Sequence, residues 1–278
     1  MFKNFIYYAL ALLLTLPMMG SVSAANGTLL VVGDSIDWGY DGGSPGVPPG
    51  TQTGWATSYA GALNLDVNML AVPGYTALEV NVLELPDALK MIAANPGNHW
   101  VVTYGAGGNE VLRLITTKAF YQLCMADPAR LTKSCLHRIN ALISQLATYN
   151  DRAVKMLRDA VGPNGTILVR TYPVATFASQ CSSIPFPGAD ALAYLVFEGT
   201  EGFGGAVSGI NLPGDVMVDG LNDNLRQVAA KYNATLVDIF PYFTPANPYL
   251  NSMVGEDCLH PNILGYQFIT NAFLQSYP

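Results

Sequence analysis

A serine near one end of this sequence and a carboxylate–imidazole pair near the other carry the side-chain types of acyl-transfer chemistry. The run Leu29-Leu30-Val31-Val32-Gly33-Asp34-Ser35 sets an apolar strand against a small acidic turn and a hydroxyl. Asp257 and His260 stand three residues apart, a spacing at which each can orient the other. Serine nucleophile, histidine base and aspartate orienter are recognised by role and not by order in the chain. A strand ending in Gly-Asp-Ser can hold Ser35 at the rim of a sheet, outside the carboxyl ends of the strands, where open α/β sheets bind ligands. Taken alone, a serine after a strand is more often a helix cap.

Two further segments extend the pattern. Asn68-Met69-Leu70-Ala71-Val72-Pro73-Gly74 ends a second strand in a glycine whose N–H can face the same crevice. Val101-Val102-Thr103-Tyr104-Gly105-Ala106-Gly107-Gly108-Asn109-Glu110 ends a third in an amide side chain. The rival bases are His99, at the start of a strand, and His137, on a long helix; both read as structural. Asp34 reads as bracing its turn and Asp37 as solvated or local. Trp38, Tyr40 and Tyr75 either line an acyl pocket or simply pack. Gly105-Ala106-Gly107 follows a strand, but Glu110 stands where a dinucleotide fingerprint needs its third glycine. Asp37 replaces the last glycine of a Gly-x-Ser-x-Gly elbow. The chain has no His-Glu-x-x-His and no Gly-Lys-Ser/Thr loop, so neither a cofactor nor a metal is expected.

The elements that must position these groups alternate. Apolar runs at 28–32, 66–72, 99–104, 166–171 and 234–240 read as buried strands. Helical stretches fall near 54–64, 76–94, 135–161, 217–232 and 262–275. In the third of these Ile139, Leu142, Ile143, Leu146, Val154, Leu157 and Val161 share one face, and Gly162-Pro163 ends it. Such alternation implies a parallel sheet with helices on both faces, joined by right-handed crossovers. Residues 41–54, rich in Gly and Pro, and 173–215, with Phe177, Phe186, Tyr194, Phe197 and Phe203, read as irregular segments. Each is either a lid or binding loop or a plain surface excursion.

Residues 1–24 read as an export signal: Lys3, the apolar run Phe5 to Leu16, and Val22-Ser23-Ala24 as cleavage site. An uncleaved anchor is the alternative, although the run falls short of the roughly 20 residues a span needs. Cleavage leaves residues 25–278, read as a single α/β domain, and moves the net charge from −7 to −8 with the loss of Lys3. With 12% charged residues and an acidic balance, nucleic acid and anionic membranes are excluded as partners, because both need clustered Lys and Arg. The four cysteines of an exported chain favour disulfides. Of the three connectivities, Cys124–Cys135, around Asp127-Pro128, with Cys181–Cys258 is the favoured one; four buried thiols is the alternative.

Taken together, the four segments resemble the blocks of the SGNH, or GDSL-type, hydrolase family, and they span nearly the whole chain beyond residue 24. The resemblance implies a three-layer α/β/α sandwich around a five-stranded parallel sheet of the flavodoxin-like kind. It implies Ser35 as nucleophile, His260 as base and Asp257 as its orienter. It also implies an oxyanion hole built from the Ser35 N–H, Gly74 and Asn109. The sequence departs from the family where Glu110 follows Asn109, and where Pro73 fixes the backbone before Gly74. Cys258 is an unusual filler between Asp257 and His260, which points to a disulfide there. The expectation is a secreted esterase or lipase that acts on a small-molecule, lipid or glycan ester through an acyl-enzyme. The alternatives are an acyltransferase or polysaccharide deacetylase with the same residues, or a carbohydrate-binding protein that keeps the fold and does no chemistry.

Overall fold

The computed structural model of the protein describes residues 25–48, 50–124, 131–174, 178, 181, 189–206 and 218–278. The export signal read at 1–24 lies outside the described residues, as do Asp127, Pro128, Phe177 and Phe186.

Five strands form one parallel sheet: β1 (Thr28–Gly33), β2 (Asp66–Met69), β3 (Trp100–Gly105), β4 (Thr166–Arg170) and β5 (Thr235–Val237). Their order is β2-β1-β3-β4-β5, with Gly33 level with Gly105 where β1 and β3 end. β1 and β3 are buried along their whole length, as apolar runs covered on both faces must be. β2 and β5 are shorter than the runs that predicted them. Beyond Met69, the Leu70 and Ala71 amides converge on one acceptor, the Val31 carbonyl, and the ladder stops. Beyond Val237, the Thr171 hydroxyl captures the amides of Ile239 and Phe240 and turns the chain into a 3₁₀ turn, Phe240–Phe243.

The helices are α1 (Ser35–Trp38), α2 (Trp55–Leu63), α3 (Ala77–Glu79) and α4 (Leu85–Ala94), the last two joined through a π-helical turn, Val80–Glu84. There follow α5 (Gly108–Ile115), α6 (Lys118–Cys124), α7 (Lys133–Val161), α8 (Ala189–Ala206), α9 (Leu221–Lys231), α10 (Leu250–Met253) and α11 (Ile263–Ser276). Contacts group α2 with α11 on one face of the sheet, and α4, α7 and α9 on the other, so the architecture is a three-layer α/β/α sandwich. The 173–215 segment is not irregular throughout, because it holds α8, broken at Gly199. Both expected disulfides are formed, Cys124–Cys135 and Cys181–Cys258. Among the described residues no helix is long and apolar enough to cross a membrane.

The strand order reverses between β1 and β3. At such a switch point the two outgoing loops part and leave a crevice beyond the carboxyl ends of the strands. Ser35 follows β1 directly, and Asn109 follows β3 by four residues.

Candidate active site

Ser35 opens α1, a helix of one turn that a reciprocal cap holds in place. Asp34 Oδ1 accepts the Ile36 N–H at 3.1 Å, and Asp37 Oδ2 accepts the Asp34 N–H at 3.3 Å. Beneath this turn lies a guanidinium. Arg170, the last residue of β4, donates from Nε to Asp37 Oδ1 at 2.8 Å and from Nη2 to Asp34 Oδ1 at 2.9 Å and Asp37 Oδ2 at 2.5 Å. The Tyr172 hydroxyl donates to Asp34 Oδ2 at 2.5 Å. Arg170 and Asp37 are wholly buried, so of the two readings of Asp37, solvated or local, burial removes the first and its bond to the Asp34 N–H fits the second. Gly105 leaves room for the guanidinium, since a Cβ there would stand 2.7 Å from Arg170 Cζ.

Burial pushes the Asp37 carboxyl up to about 6 against the pull of Arg170, so it is still ionised at neutral pH. Burial alone would ease a proton off Arg170, but Asp37, Tyr172 and Asp34 more than reverse this. One buried cation is thus shared by two carboxylates that flank the serine.

Glu84, in the π turn, braces the same strand end from the other side. Its Oε2 accepts the Gly33 N–H at 2.8 Å and its Oε1 the Val72 N–H at 3.1 Å, tying the exits of β1 and β2 together. Burial, with Asp37 and Asp34 adding to it, pushes this carboxyl up to about 8 against the two amides.

The imidazole comes from the loop before α11. Asp257 Oδ1 accepts the N–H of Leu259 and of His260, each at 3.0 Å, so the carboxylate shapes its own loop. The loop rests on the 41–54 segment: Asp257 N–H donates to Gly42 O at 3.0 Å, and Gly42 N–H to Pro261 O at 3.1 Å. Gly42 permits this approach, because a Cβ would lie 2.6 Å from Asp257 Oδ1. The segment read as a lid or excursion is, over these residues, the seat of the histidine loop.

Asp257 Oδ2 lies 2.6 Å from His260 Nδ1, and His260 Nε2 lies 2.8 Å from Ser35 Oγ. Burial would raise the Asp257 carboxyl, but the hydrogen bond and charge of His260 outweigh it and hold it below the ordinary carboxylate value. An ionised carboxylate only accepts, so Nδ1 carries the ring proton and Nε2 offers its lone pair to the Ser35 hydroxyl. The Tyr40 ring packs on the imidazole at 4.6 Å between centroids. His99 meets the Tyr277 hydroxyl near the start of β3, and His137 lies on α7; neither joins this cluster.

Asn109 lines the same cavity as Ser35 and His260, and its Nδ2 donates to Tyr75 O at 2.8 Å. An amide nitrogen has two hydrogens, so this bond fixes the side chain and leaves one donor over. Gly74 adjoins through Tyr75, and its carbonyl accepts from Arg113 Nη2 at 3.4 Å. Trp38, Tyr40 and Tyr75 do not line the cavity; among the described residues its apolar wall includes Ile36, Leu112, Ile115, Val174, Ala193 and Phe197. Ser35, His260 and Asn109 thus line one cavity, which Gly74 and Asp257 do not line, the latter holding the far side of the imidazole. A hydroxyl, a base, an orienting carboxylate and an amide donor so placed can add a nucleophile to a carbonyl and hold the resulting oxyanion.

The sequence matches the model of the GDSL-like lipase/acylhydrolase family over residues 31–268. The chain belongs to that family. No curated protein matches it. Among solved structures it resembles an extracellular lipase from Streptomyces rimosus, at 16% identity and TM-score 0.56, covering 90% of this chain and 100% of the other. A lipase, Lip_vut3, from a goat rumen metagenome gives 15% identity and TM-score 0.56, covering 90% of this chain and 96% of the other. A member of the lipolytic G-D-S-L family from Veillonella parvula gives 15% identity and TM-score 0.52, covering 90% and 97%.

In this family member, Glu110 is structural: Oε1 accepts the Ala77 N–H at 2.7 Å and fixes the start of α3. Arg170 and Glu84 escaped the sequence reading. The only trace of the first was a charged residue closing an apolar strand run, Thr166-Ile167-Leu168-Val169-Arg170, where the chain should be buried.

Proposed function

We propose that this GDSL-like family member is a secreted serine ester hydrolase, with residues 25–278 acting as one catalytic domain. Ser35 is the nucleophile, His260 the base, and Asp257 the group that orients and charges against the imidazole. The observation that carries the reading is the unbroken chain from Asp257 Oδ2 through His260 to Ser35 Oγ, at 2.6 and 2.8 Å.

In the first half-reaction Ser35 Oγ bonds to the ester carbonyl carbon while His260 Nε2 takes the hydroxyl proton. The oxyanion is met by the Ser35 N–H, the free hydrogen of Asn109 Nδ2 and the Gly74 N–H, each such donor being worth roughly 3–4 kcal/mol. Collapse breaks the bond to the alcohol oxygen, which leaves with the proton from His260. Water then attacks the acyl-enzyme, His260 again taking and returning one proton, and the carboxylic acid departs. Export is supported by two disulfides, which persist in oxidising compartments, and by the signal-like residues 1–24.

A fluorophosphonate probe tests the reading. It should label the folded protein stoichiometrically and fail on Ser35→Ala. Labelling that persists in Ser35→Ala, or no labelling of folded wild type, would sink it.

A further inference from the structure

We propose that the cavity beside Ser35 is an acyl site for a short, uncharged chain, with Ile115 and Ala193 setting its depth. This rests on the ester-hydrolase reading of the same serine.

The lining chemistry decides the charge of the guest. Ile36, Leu112, Ile115, Val174, Ala193 and Phe197 are apolar, and among the described residues the ionisable groups that line the cavity are Asp34, Tyr172 and His260. Asp34 is already engaged by Arg170, Tyr172 and the Ile36 amide. A carboxylate or ammonium set against this apolar wall would lose its water without gaining a counter-ion, which disfavours a charged acyl chain.

The direction follows from α5. Asn109, Leu112 and Ile115 stand at i, i+3 and i+6, and all three line the cavity. At about 1.5 Å per residue, Ile115 lies roughly 9 Å along the helix from the amide that meets the oxyanion. Leucine and isoleucine side chains lean back toward the helix N-terminus, which shortens the open length. The cavity volume is about 40 Å³. An apolar cavity that takes a benzene ring measures roughly 150 Å³, so a space of this size suits a short acyl chain.

The walls are held firmly enough to discriminate. Phe197 stands 5.8 Å from the Tyr172 ring, and Ala193 lies one turn away on the same helix. Asn222 grips the Tyr172 backbone from both sides, accepting its N–H at 2.6 Å and donating to its carbonyl at 3.1 Å. Asn222 also donates to Glu198, which accepts from Arg226, so α8 is pinned to α9 next to Phe197. A close-packed wall of this kind yields to an extra methylene only at a cost.

The test is kcat/KM across p-nitrophenyl acetate, butyrate, hexanoate, octanoate and dodecanoate, with each protein normalised to its fluorophosphonate-labelled fraction. Wild type should peak at butyrate and fall about tenfold or more by octanoate, one methylene being worth tenfold or more in a tight pocket. Ile115→Ala should move the peak to hexanoate or octanoate, and Ala193→Phe should move it to acetate. A wild-type profile that is flat, or that peaks at octanoate or beyond, overturns the acyl site whatever the variants do. Equal changes at every chain length in both variants overturn the two depth-setting roles. Labelled protein with the wrong profile leaves the hydrolase reading standing; absence of both labelling and hydrolysis takes the two down together.

Discussion

Ser35 Oγ and His260 Nε2 stand 2.8 Å apart although 225 residues separate them in the chain. The sheet order accounts for it: β1 is an inner strand, and α11 returns across the face beside α2, so the last loop arrives over the first strand end. The pair works only with the ring proton on Nδ1, which the ionised Asp257 enforces. Asp257→Asn keeps the shape but can present an N–H to Nδ1 and favour the other tautomer. Its kcat for p-nitrophenyl butyrate should fall about 1,000- to 10,000-fold with KM little changed. A loss under about tenfold would mean that Asp257 does not orient the base.

Asn109 offers a sharper division between binding and chemistry. Its bond to Tyr75 O holds the amide in place before any substrate arrives. A donor that meets only the oxyanion contributes in the transition state alone. Asn109→Ala should therefore cost about 100- to 1,000-fold in kcat and leave KM within a few fold. Should KM rise with kcat unchanged, the amide is a substrate-binding group and the oxyanion role fails.

What the sequence disclosed and what it hid follow from the range of the interactions. The five strands and five helical stretches, which hold α2, α3, α4, α7, α9 and α11, were legible because burial on both faces leaves unbroken apolar runs and amphipathic faces leave a period. Ser35, Asp257 and His260 were legible because each sits in a short local motif. Helix α8 was hidden by four glycines in Ala189–Ala206, which lower local helix preference that packing on α5 and α9 then overrides. Arg170 and Glu84 were hidden because their partners lie 133–136 and 12–51 residues away, and no spacing in the chain records such contacts. The choice between lining and packing for Trp38, Tyr40 and Tyr75 stayed open for the same reason: they neighbour Ser35 and Gly74 in the sequence, whereas Ala193 and Ile115 reach the cavity only through the fold.

Arg170 is the buried cation shared by the buried carboxylates of Asp34 and Asp37. Arg170→Met removes the cation and strands Asp34 and Asp37 in an apolar interior. Breaking one side of a buried ion pair costs about 3–5 kcal/mol, so the urea midpoint should fall accordingly at unchanged slope. Arg170→Lys should recover less than half of this, because a single ammonium cannot reproduce a fork that serves both acids. A midpoint within about 1 kcal/mol of wild type for Arg170→Met would show that the pair is not needed to hold the turn.

Cys258 sits between Asp257 and His260 with φ 60°, a left-handed conformation that is costly outside glycine, and its bond to Cys181 holds it there. The bridge closes a separation of 77 residues. Chain-entropy arguments give such a loop about 4.5 kcal/mol of stabilisation at most. The double variant Cys181→Ser with Cys258→Ser should lose up to that amount and should lower kcat more than KM, since the histidine loop gains freedom. The Cys124–Cys135 bridge, which joins the end of α6 to the first turn of α7, should affect stability alone. Equal kinetic effects from removing either bridge would show that the Cys258 tether has no special part in holding His260.

Glu84 should give the fold a pH signature of its own. Its carboxyl titrates near the ordinary value of 4.5 when unfolded and is pushed up to about 8 by burial in the native state. Between those values the native state binds the extra proton, so stability falls as pH rises and levels off above the native value. Asp37 acts in the same direction but completes its change near 6. Asp257, held low, acts in the opposite direction and only at more acid pH. In the window from pH 6.5 to 8 the slope among these groups therefore belongs to Glu84. Wild type should lose about 2 kcal/mol across it, read from urea midpoints. Glu84→Gln, which cannot ionise, should be flat there, whatever its absolute stability. A Glu84→Gln slope equal to that of wild type would show that the carboxyl bridging Gly33 and Val72 is already ionised in the native fold, with its two amide donors prevailing over burial.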